Sequence, residues 1–225
     1  MLKTCLCALT GLSLLVAATA ASWATPSSIV FIPSTDVRAP EQNHLDFDGY
    51  FTFDDPGTGA VTVLGYTRGF QGRFELGIDH IGSTRDPFLF NGKWQAIAPQ
   101  EGRPLALALG AWNWGSSDNP FAGNLLYAIA SYTFPQSGRF SIGYQHADED
   151  RVGNDNNMLL LAWEKQLSER WWAAIDYASG DSGFGAISPG IAYTFAPNTS
   201  VLFGYNFYNT GALDDTVTVQ VDINF

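Results

Sequence analysis

Charged side chains recur at every second position in several segments of the chain, with apolar residues between them. In the stretch RFELGID, which runs from Arg73 to Asp79, Arg, Glu and Asp alternate with Phe, Leu and Ile. Successive side chains of a β-strand point to opposite faces, so such segments have one apolar and one polar face. The ionisable residues that this alternation places on the polar face are Asp46, Asp48, Arg73, Glu75, Asp79, Lys93, Arg139, Glu164, Asp176 and Asp222.

These polar-face residues comprise seven acids and three bases. If they line the interior of a barrel, they predict a water-filled lumen that mildly favours cations. The alternative is that they pair across the interior and plug it, and the sequence leaves both open because polar interiors occur in both cases. The residues most expected to set solute specificity are Glu75, Asp79, Lys93, Arg139 and Asp176.

Catalytic chemistry is poorly supported by the sequence. Covalent catalysis needs a nucleophile held beside a base, and the only histidines are His44, His80 and His146. Ser83 is close to His80 in sequence, but no motif surrounds it, and the strands that carry His80 and His146 are not neighbours. We therefore expect no catalytic residues, no cofactor and no enzyme, with both outer histidines as ordinary rim residues.

One acidic loop has enough oxygen ligands to suggest calcium. The segment DEDRVGNDNN, from Asp148 to Asn157, is rich in carboxylates and amides. It departs from the calcium-loop pattern because Val152 stands at a ligand position and no Glu closes the loop. We expect a solvated acidic loop and no metal site.

Twelve alternating segments follow one another after residue 43, separated by turns. The connections alternate between short, tightly punctuated turns and longer loops that are rich in glycine and acids, an asymmetry typical of outer-membrane barrels. The predicted strands are residues 44–53, 61–69, 73–81, 88–97, 105–114, 124–134, 139–147, 158–167, 171–179, 186–195, 200–208 and 216–225.

The first 24 residues are typical of a secretory signal peptide. Lys3 is the only charge before Asp36, residues 5–18 are apolar or small, and cleavage is predicted after Ala20 or Ala24. An uncleaved membrane anchor is the alternative, because the uncharged run is about long enough to span a bilayer. Residues 25–43 form a predicted extended segment that either folds into the lumen or stays outside it, and residues 44–225 form the barrel.

Cysteine and charge limit the function classes. Cys5 and Cys7 both lie in the leader, so the mature chain has no disulfide framework. Without Lys3 it carries 10 basic and 22 acidic residues, a net charge of −12. Nucleic-acid binding needs Lys and Arg for phosphate contacts, so we expect no nucleic-acid partner.

The distribution of aromatic residues favours lipid outside the barrel over a soluble core. Aromatics lie near both ends of the predicted strands, with aliphatic residues between them, which matches anchoring at the two membrane interfaces. The last strand, TVTVQVDINF, has no proline, lysine or bulge to protect its edge, so we expect it to pair with the first strand. The aromatics in question are Trp94, Tyr132, Phe134, Trp163, Trp171, Tyr193, Phe195 and Phe225 at one end, and Phe51, Phe53, Phe88, Tyr177 and Phe207 at the other.

The leader, the alternating strands and a final strand that ends in Phe225 together resemble porin-like outer-membrane β-barrel proteins of bacteria. The resemblance implies an all-β, closed up-and-down antiparallel barrel of about twelve strands. It also implies outer-membrane lipid as a partner and Phe225 as a signal for the barrel-assembly machinery. Architecture alone does not fix function.

Three functions remain for such a barrel. The leading hypothesis is a small channel for passive passage of small polar solutes or cations. The second is a non-transporting barrel that serves membrane integrity or binds at the surface through its acidic loops. The third is a lipid-modifying enzyme of the outer membrane. The sequence does not indicate the oligomeric state.

Overall fold

Twelve antiparallel strands close into one barrel in the computed structural model of the chain, which describes residues 27–52, 61–82 and 84–225. Each strand pairs with its neighbours in sequence, so the topology is up-and-down. The strands are β1 (Asn43–Thr52), β2 (Val61–Phe70), β3 (Phe74–Ile81), β4 (Phe88–Ile97), β5 (Leu105–Trp114), β6 (Leu125–Phe134), β7 (Gly138–His146), β8 (Asn157–Gln166), β9 (Trp171–Ala178), β10 (Ala186–Ala196), β11 (Thr199–Tyr208) and β12 (Thr216–Asn224), with a short helix α1 (Glu149–Val152) between β7 and β8. All twelve predicted strands are confirmed.

The barrel is closed by β1 and β12. Their register runs from His44 opposite Asn224 to Thr52 opposite Thr216. Beyond it, Phe225 exchanges two backbone hydrogen bonds with Asn43, of 2.8 and 3.0 Å. The pairing leaves neither strand with an open edge, as the unprotected last strand predicts.

The two ends of the barrel differ in the length of their connections. At the end where β1 begins and β12 finishes, four of the five connections contain only two to four residues. The six connections at the other end contain six to ten residues each. We call these the turn end and the loop end. The predicted asymmetry is confirmed.

The strands place apolar side chains outside and polar ones inside. Leu76 and Ile142 lie near the middle of their strands and are nevertheless 57% and 59% exposed, whereas Gln145, Ser188 and Thr218 are fully buried inside. A soluble barrel would have the opposite arrangement, so this surface is built to face lipid. Outward aromatics occur at both ends as predicted, and Phe47, Phe90 and Phe203 add further rings in the middle of the outer surface.

Residues 27–42, which precede β1, occupy the turn end of the barrel, and we call them the plug. Residues 27–38 lie inside the barrel, whereas Ala39, Pro40 and Glu41 are exposed at its rim. Ile29, Val30 and Ile32 are almost completely buried in a cluster with lumen-facing side chains that include Leu160 and Leu202. Of the two placements that the sequence leaves open for this segment, the structure shows the one in the lumen. The predicted signal peptide, Phe53 and Ser83 lie outside the described residues.

Within the described part of the chain, no helix is long and apolar enough to cross a membrane.

Candidate functional site: the barrel lumen

The tip of the plug is held by Asp176 on β9. One carboxylate oxygen, Oδ2, accepts three consecutive backbone N–H groups, those of Val30 (2.7 Å), Phe31 (2.8 Å) and Ile32 (3.2 Å). Gln220 on β12 fixes the same tip from another side, since its Nε2 donates to the carbonyl oxygen of Val30 at 2.9 Å. Asp176 therefore acts as a built-in anion for a small nest of backbone donors.

Lys93 on β4 ties the two arms of the plug together. Its Nζ donates to the carbonyl oxygens of Ser27 (2.8 Å) and Asp36 (2.7 Å), and it lies 3.0 Å from the carboxylate of Glu75 on β3. Lys93 and Glu75 are directly opposite each other in the β3–β4 register, and both are about 95% buried. A buried pair of this kind is costly to break, because either partner alone would be an uncompensated charge.

Arg139 on β7 makes the second charged anchor. It bonds both carboxylate oxygens of Asp36 in the plug, at 2.8 and 2.6 Å, and its Nε donates to Glu164 on the neighbouring strand β8. Beside it, the hydroxyls of Thr35 and Ser131 lie 2.7 Å apart. The plug is thus attached to β6 and β7 as well as to β9 and β12, and Glu164 on β8 holds the arginine that bonds it.

Arg38, near the end of the plug, points to the seam between the first and last strands. Its backbone N–H donates to Glu75 Oε2 at 2.9 Å, and its guanidinium donates to Asn224. Burial lowers the pKa of Arg38 to about 10, an effect that the negative charges of Glu75, Asp222 and Asp46 oppose. The guanidinium therefore stays charged at neutral pH inside the turn end.

Three glycines make space for the plug. A Cβ at Gly190 on β10 would lie 2.8 Å from Val30, and one at Gly204 on β11 would lie 3.0 Å from it. A Cβ at Gly69 on β2 would lie 2.2 Å from the carbonyl oxygen of Ala39. The plug therefore passes over the barrel wall where the wall has no side chains.

Between the plug and the loops is a cavity of about 820 Å³, which we call the lumen cavity. Val30, Phe31 and neighbouring plug residues border it on the side of the turn end, and residues of several loops, including Phe121 and Leu213, border it on the side of the loop end. The cavity is as large as sites that hold small organic molecules.

Acidic side chains on β12, β1 and β3 line the cavity. Asp222, Asp46 and Asp79 stand at one level, because Asp46 pairs in register with Asp222 on one side and, on the other, with Gly65, which in turn pairs with Asp79. The carboxylate of Asp46 occupies the space above Gly65, where a Cβ would lie 2.2 Å from Oδ2. The row thus depends on the missing side chain in β2.

The acids differ in how well they are compensated. His44 Nε2 lies 3.3 Å from Asp222 and 3.5 Å from Asp46, so these two share one imidazole. Asp79 accepts a hydrogen bond of 2.6 Å from Asn91, which is neutral. Asp48, one step closer to the loop end, has no hydrogen bond or ion pair among the described residues. Among the described residues, Asp48 and Asp79 are therefore the acids of this row without a cationic or imidazole partner.

The cations near the cavity are already engaged. Lys93 is paired with Glu75, and Arg151 in α1 lies 3.4 Å from Asp148 and donates to the carbonyl oxygens of Ser116 and Ala122. Neither cation has Asp48 or Asp79 as its partner in these contacts, so neither acid is neutralised by direct contact with them.

Of the ten predicted lumen residues, Arg73 has a different position. It lies in the turn between β2 and β3, exposed and with a φ of 65°, so its side chain belongs to the rim of the turn end. The other nine lie in strands, five of them buried and four partly accessible. Glu75, Lys93, Glu164, Asp176 and Asp222 are the buried ones, while Asp46, Asp48, Asp79 and Arg139 are partly accessible.

His80 and His146, which the sequence analysis weighs as catalytic candidates, make local contacts. His80 packs edge-to-face on Phe88 at 5.4 Å, and His146 bonds Asn157 at 3.0 Å. Within the described residues, no group of three His, Cys, Asp or Glu side chains is arranged to hold a metal ion. In the loop that carries α1, Asp148 caps the helix instead, accepting from the backbone N–H of Asp150.

Sequence reasoning missed the partners of the charged residues. Asp36 and Arg38 precede the first strand and have no periodic neighbours, and Ser131 and the three plug-facing glycines look like ordinary strand residues. The sequence signal that could have raised the question of an internal partner is the presence of two carboxylates and two cations on the predicted inner face, Glu75, Glu164, Lys93 and Arg139.

The likeness of this chain to solved structures lies in its fold. The KdgM porin has a TM-score of 0.59 at 10% identity, over 81% of this chain and 99% of its own. The KdgM porin in complex with disordered oligogalacturonate has a TM-score of 0.58 at 11% identity, with the same coverage. The NanC porin has a TM-score of 0.50 at 13% identity, over 80% of this chain and 98% of its own.

No protein-family model matches the chain, and no curated protein matches its sequence. The likeness to porins, the closed barrel of twelve strands and the apolar outer surface confirm the predicted fold, a transmembrane β-barrel of the bacterial outer-membrane type.

Proposed function

We propose that this protein is a small outer-membrane channel for the passive passage of small polar solutes, with a preference for cations. In the conformation described above, the plug narrows the turn end of this channel. Passage then depends on the plug moving aside.

The observation that carries the proposal is the lumen cavity with its uncompensated acids. A structural core would pair its charges, as Glu75 is paired with Lys93 and Arg139 with Asp36 and Glu164. Asp48 and Asp79 instead face a cavity of about 820 Å³ without a cationic partner among the described residues. Acidic side chains that line a pore raise the local concentration of cations and lower that of anions.

The proposed solute differs in charge from the ligand named for a structural neighbour. One KdgM porin structure is a complex with oligogalacturonate, a chain of sugar carboxylates, and a site for such a polyanion needs cations. The least balanced charges of this lumen cavity are negative. We therefore propose a shared channel architecture with an opposite charge preference.

The test is conductance in a planar bilayer, using the full mature chain refolded in detergent and held under a potassium chloride gradient. The unchanged protein is compared with Gly190→Val, because a Cβ at this position would lie 2.8 Å from Val30 and would push the plug tip away from the wall. The matched control is Gly211→Val, in a loop where a Cβ meets nothing within 4 Å.

We expect Gly190→Val to conduct in larger or more frequent steps than the unchanged protein and the control, with a reversal potential that favours potassium over chloride. Circular dichroism and the mobility of unheated samples in gels establish that each variant is folded. Silence of all three folded proteins would contradict a channel, and a chloride-favouring reversal potential would contradict the cation preference.

The second candidate is a non-transporting barrel, and the plug is the observation that favours it. Its contacts with β3, β4, β6, β7, β9 and β12 are those of a permanent part of the structure. In that case the acidic loops would bind at the surface. Trimming residues 148–157 would then abolish binding to outer-membrane lipid or cells, while conductance would be absent in every variant.

A further inference from the structure

The lumen cavity has an acidic part and an apolar part. Asp48 and Asp79 are the acids without a cationic partner, as described above. Trp112 on β5 and Phe184 in the β9–β10 loop also line the cavity, and their rings meet edge-to-face at 6.0 Å. A wall that offers both carboxylates and aromatic rings matches a ligand with a positive charge and an apolar body, since both kinds of group attract cations.

Two buried hydroxyls in the same cavity lack a partner. Thr67 on β2 and Tyr127 on β6 are only 8% and 7% exposed, and both line the cavity. Neither hydroxyl has a hydrogen-bond partner among the described residues. The phenol of Tyr127 lies above Gly110, where a Cβ would meet its hydroxyl oxygen at 2.4 Å.

A hydroxyl that is largely shielded from bulk water and has no protein partner is uncommon unless something else bonds it. Because Gly110 has no side chain, the phenol of Tyr127 fits against the cavity wall at this point. A polar group of a bound molecule would give Tyr127 and Thr67 the hydrogen bonds that the protein does not provide.

The arrangement of the acids argues for an organic cation over a metal ion. The described residues contain no group of three acidic, His or Cys side chains with the spacing of a metal site. An ammonium group needs only one or two carboxylates and can donate to both.

We propose that the lumen cavity binds an organic ammonium ion with an aromatic or similarly apolar body and a hydroxyl-like polar group. The ammonium lies at Asp48 and Asp79, and the body packs near Trp112 and Phe184. The polar group bonds Tyr127. This inference rests on the proposed function, because the bound cation is the solute class that the channel selects.

Tyramine carries all three features and serves as the probe. Its matched anion, 3-(4-hydroxyphenyl)propanoate, keeps the phenol and replaces the ammonium with a carboxylate. Binding of each to the refolded full chain in detergent is measured by isothermal titration calorimetry, with empty micelles as the blank. We expect tyramine to bind and the anion to show no binding above the blank.

The variants divide the site into its parts. Asp48→Asn and Asp79→Asn each weaken tyramine binding by roughly tenfold or more, as expected for loss of a charge-assisted contact. Tyr127→Phe, which removes only a hydroxyl, weakens it by several-fold. Glu169→Gln makes the same charge change in an exposed turn at the other end of the barrel and leaves binding unchanged.

Equal binding of the cation and the anion would overturn the inference, and so would unchanged tyramine affinity in both Asp48→Asn and Asp79→Asn. Tyr127→Phe keeps the test decisive if an acidic variant fails to fold. The measurement is independent of conductance. A barrel that conducts without binding tyramine contradicts only this inference, and one that binds tyramine but never conducts contradicts only the channel.

Discussion

The turn end of the lumen, which contains the plug and which we also call the plug end, is lined by the same strands as the loop end, with the same alternation. The two ends differ in whether their charged side chains have partners of opposite charge. At the plug end, Glu75 is paired with Lys93, and Arg139 joins Glu164 to Asp36 of the plug. At the loop end, Asp48 and Asp79 have no cationic partner among the described residues.

The difference shows that a polar lumen is not one kind of surface. A charge that meets an opposite charge in a dry interior holds structure together, and removing one partner is destabilising. A charge that faces a cavity keeps its field free to act on solutes. The plug contributes to this division, because it provides Asp36, Arg38 and three backbone donors to the wall residues that it touches.

The largest expected effect comes from removing Asp176. Asp176→Ala leaves the N–H groups of Val30, Phe31 and Ile32 without their acceptor, and each buried donor left without a partner costs about 1–3 kcal/mol. We expect the plug to leave the wall and conductance to rise far above that of the unchanged protein. Single-channel recording measures this rise in conductance.

The control for this prediction is Asp118→Ala, which removes an exposed acid from a loop. A cysteine introduced at Val30 reports the plug directly, because a water-soluble maleimide should label it faster when Asp176 is absent. Unchanged labelling and unchanged conductance would together mean that Asp176 does not retain the plug.

Breaking the second anchor should chiefly affect stability. Arg139→Gln removes the only cation bonded to the carboxylates of Asp36 and Glu164 in the described contacts, and loss of one partner from a buried ion pair costs about 3–5 kcal/mol. We expect the urea midpoint of the barrel in detergent to fall. Arg103→Gln, in an exposed turn, should leave the midpoint where it is, and an equal fall in both variants would speak against the anchor.

We expect opposite results when two acids of β3, one at each end of the lumen, are replaced by their neutral amides. Asp79→Asn should shift the reversal potential toward zero selectivity with little change in stability, because Asp79 faces the cavity. Glu75→Gln should lower stability and leave selectivity nearly unchanged, because Glu75 is engaged with Lys93 and Arg38. Reversal potentials and urea midpoints measured on both variants separate the two roles; identical behaviour would remove the distinction.

The strands could be predicted because their pattern is local. Side chains alternate with period two, and the count and order of all twelve strands follow from it. The first and last residues of a strand are harder to predict than the presence of the strand, and Arg73 shows the consequence. The predicted third strand begins at residue 73 and the observed one at Phe74, so a shift of one residue moves this cation out of the lumen to the rim of the turn end.

The plug could not be predicted in this way because its contacts are not local. Val30 and Asp176 are 146 residues apart, and Arg38 and Asn224 are 186 apart. The segment has no periodicity that would indicate where its side chains point. Gly69 and Gly190, which give it space, are indistinguishable in sequence from the other strand glycines. The acids were therefore found from the sequence, but their division into anchors and cavity residues was not.

The smallest predicted effect concerns a neutral contact at the plug end, between the hydroxyls of Thr35 and Ser131 at 2.7 Å. Both are almost fully buried, so replacing one leaves the other without this partner. Thr35→Val and Ser131→Ala should each destabilise the barrel by about 1 kcal/mol.

The double variant should cost less than the sum of the two single variants, because the hydrogen bond can be lost only once. Urea unfolding of the four proteins in the cycle gives the coupling energy, which we expect to be about 1 kcal/mol. The same substitutions should leave the reversal potential unchanged, since neither residue lines the lumen cavity. A coupling energy of zero would mean that this contact does not hold the plug, and that the charged anchors alone separate the two ends of the lumen.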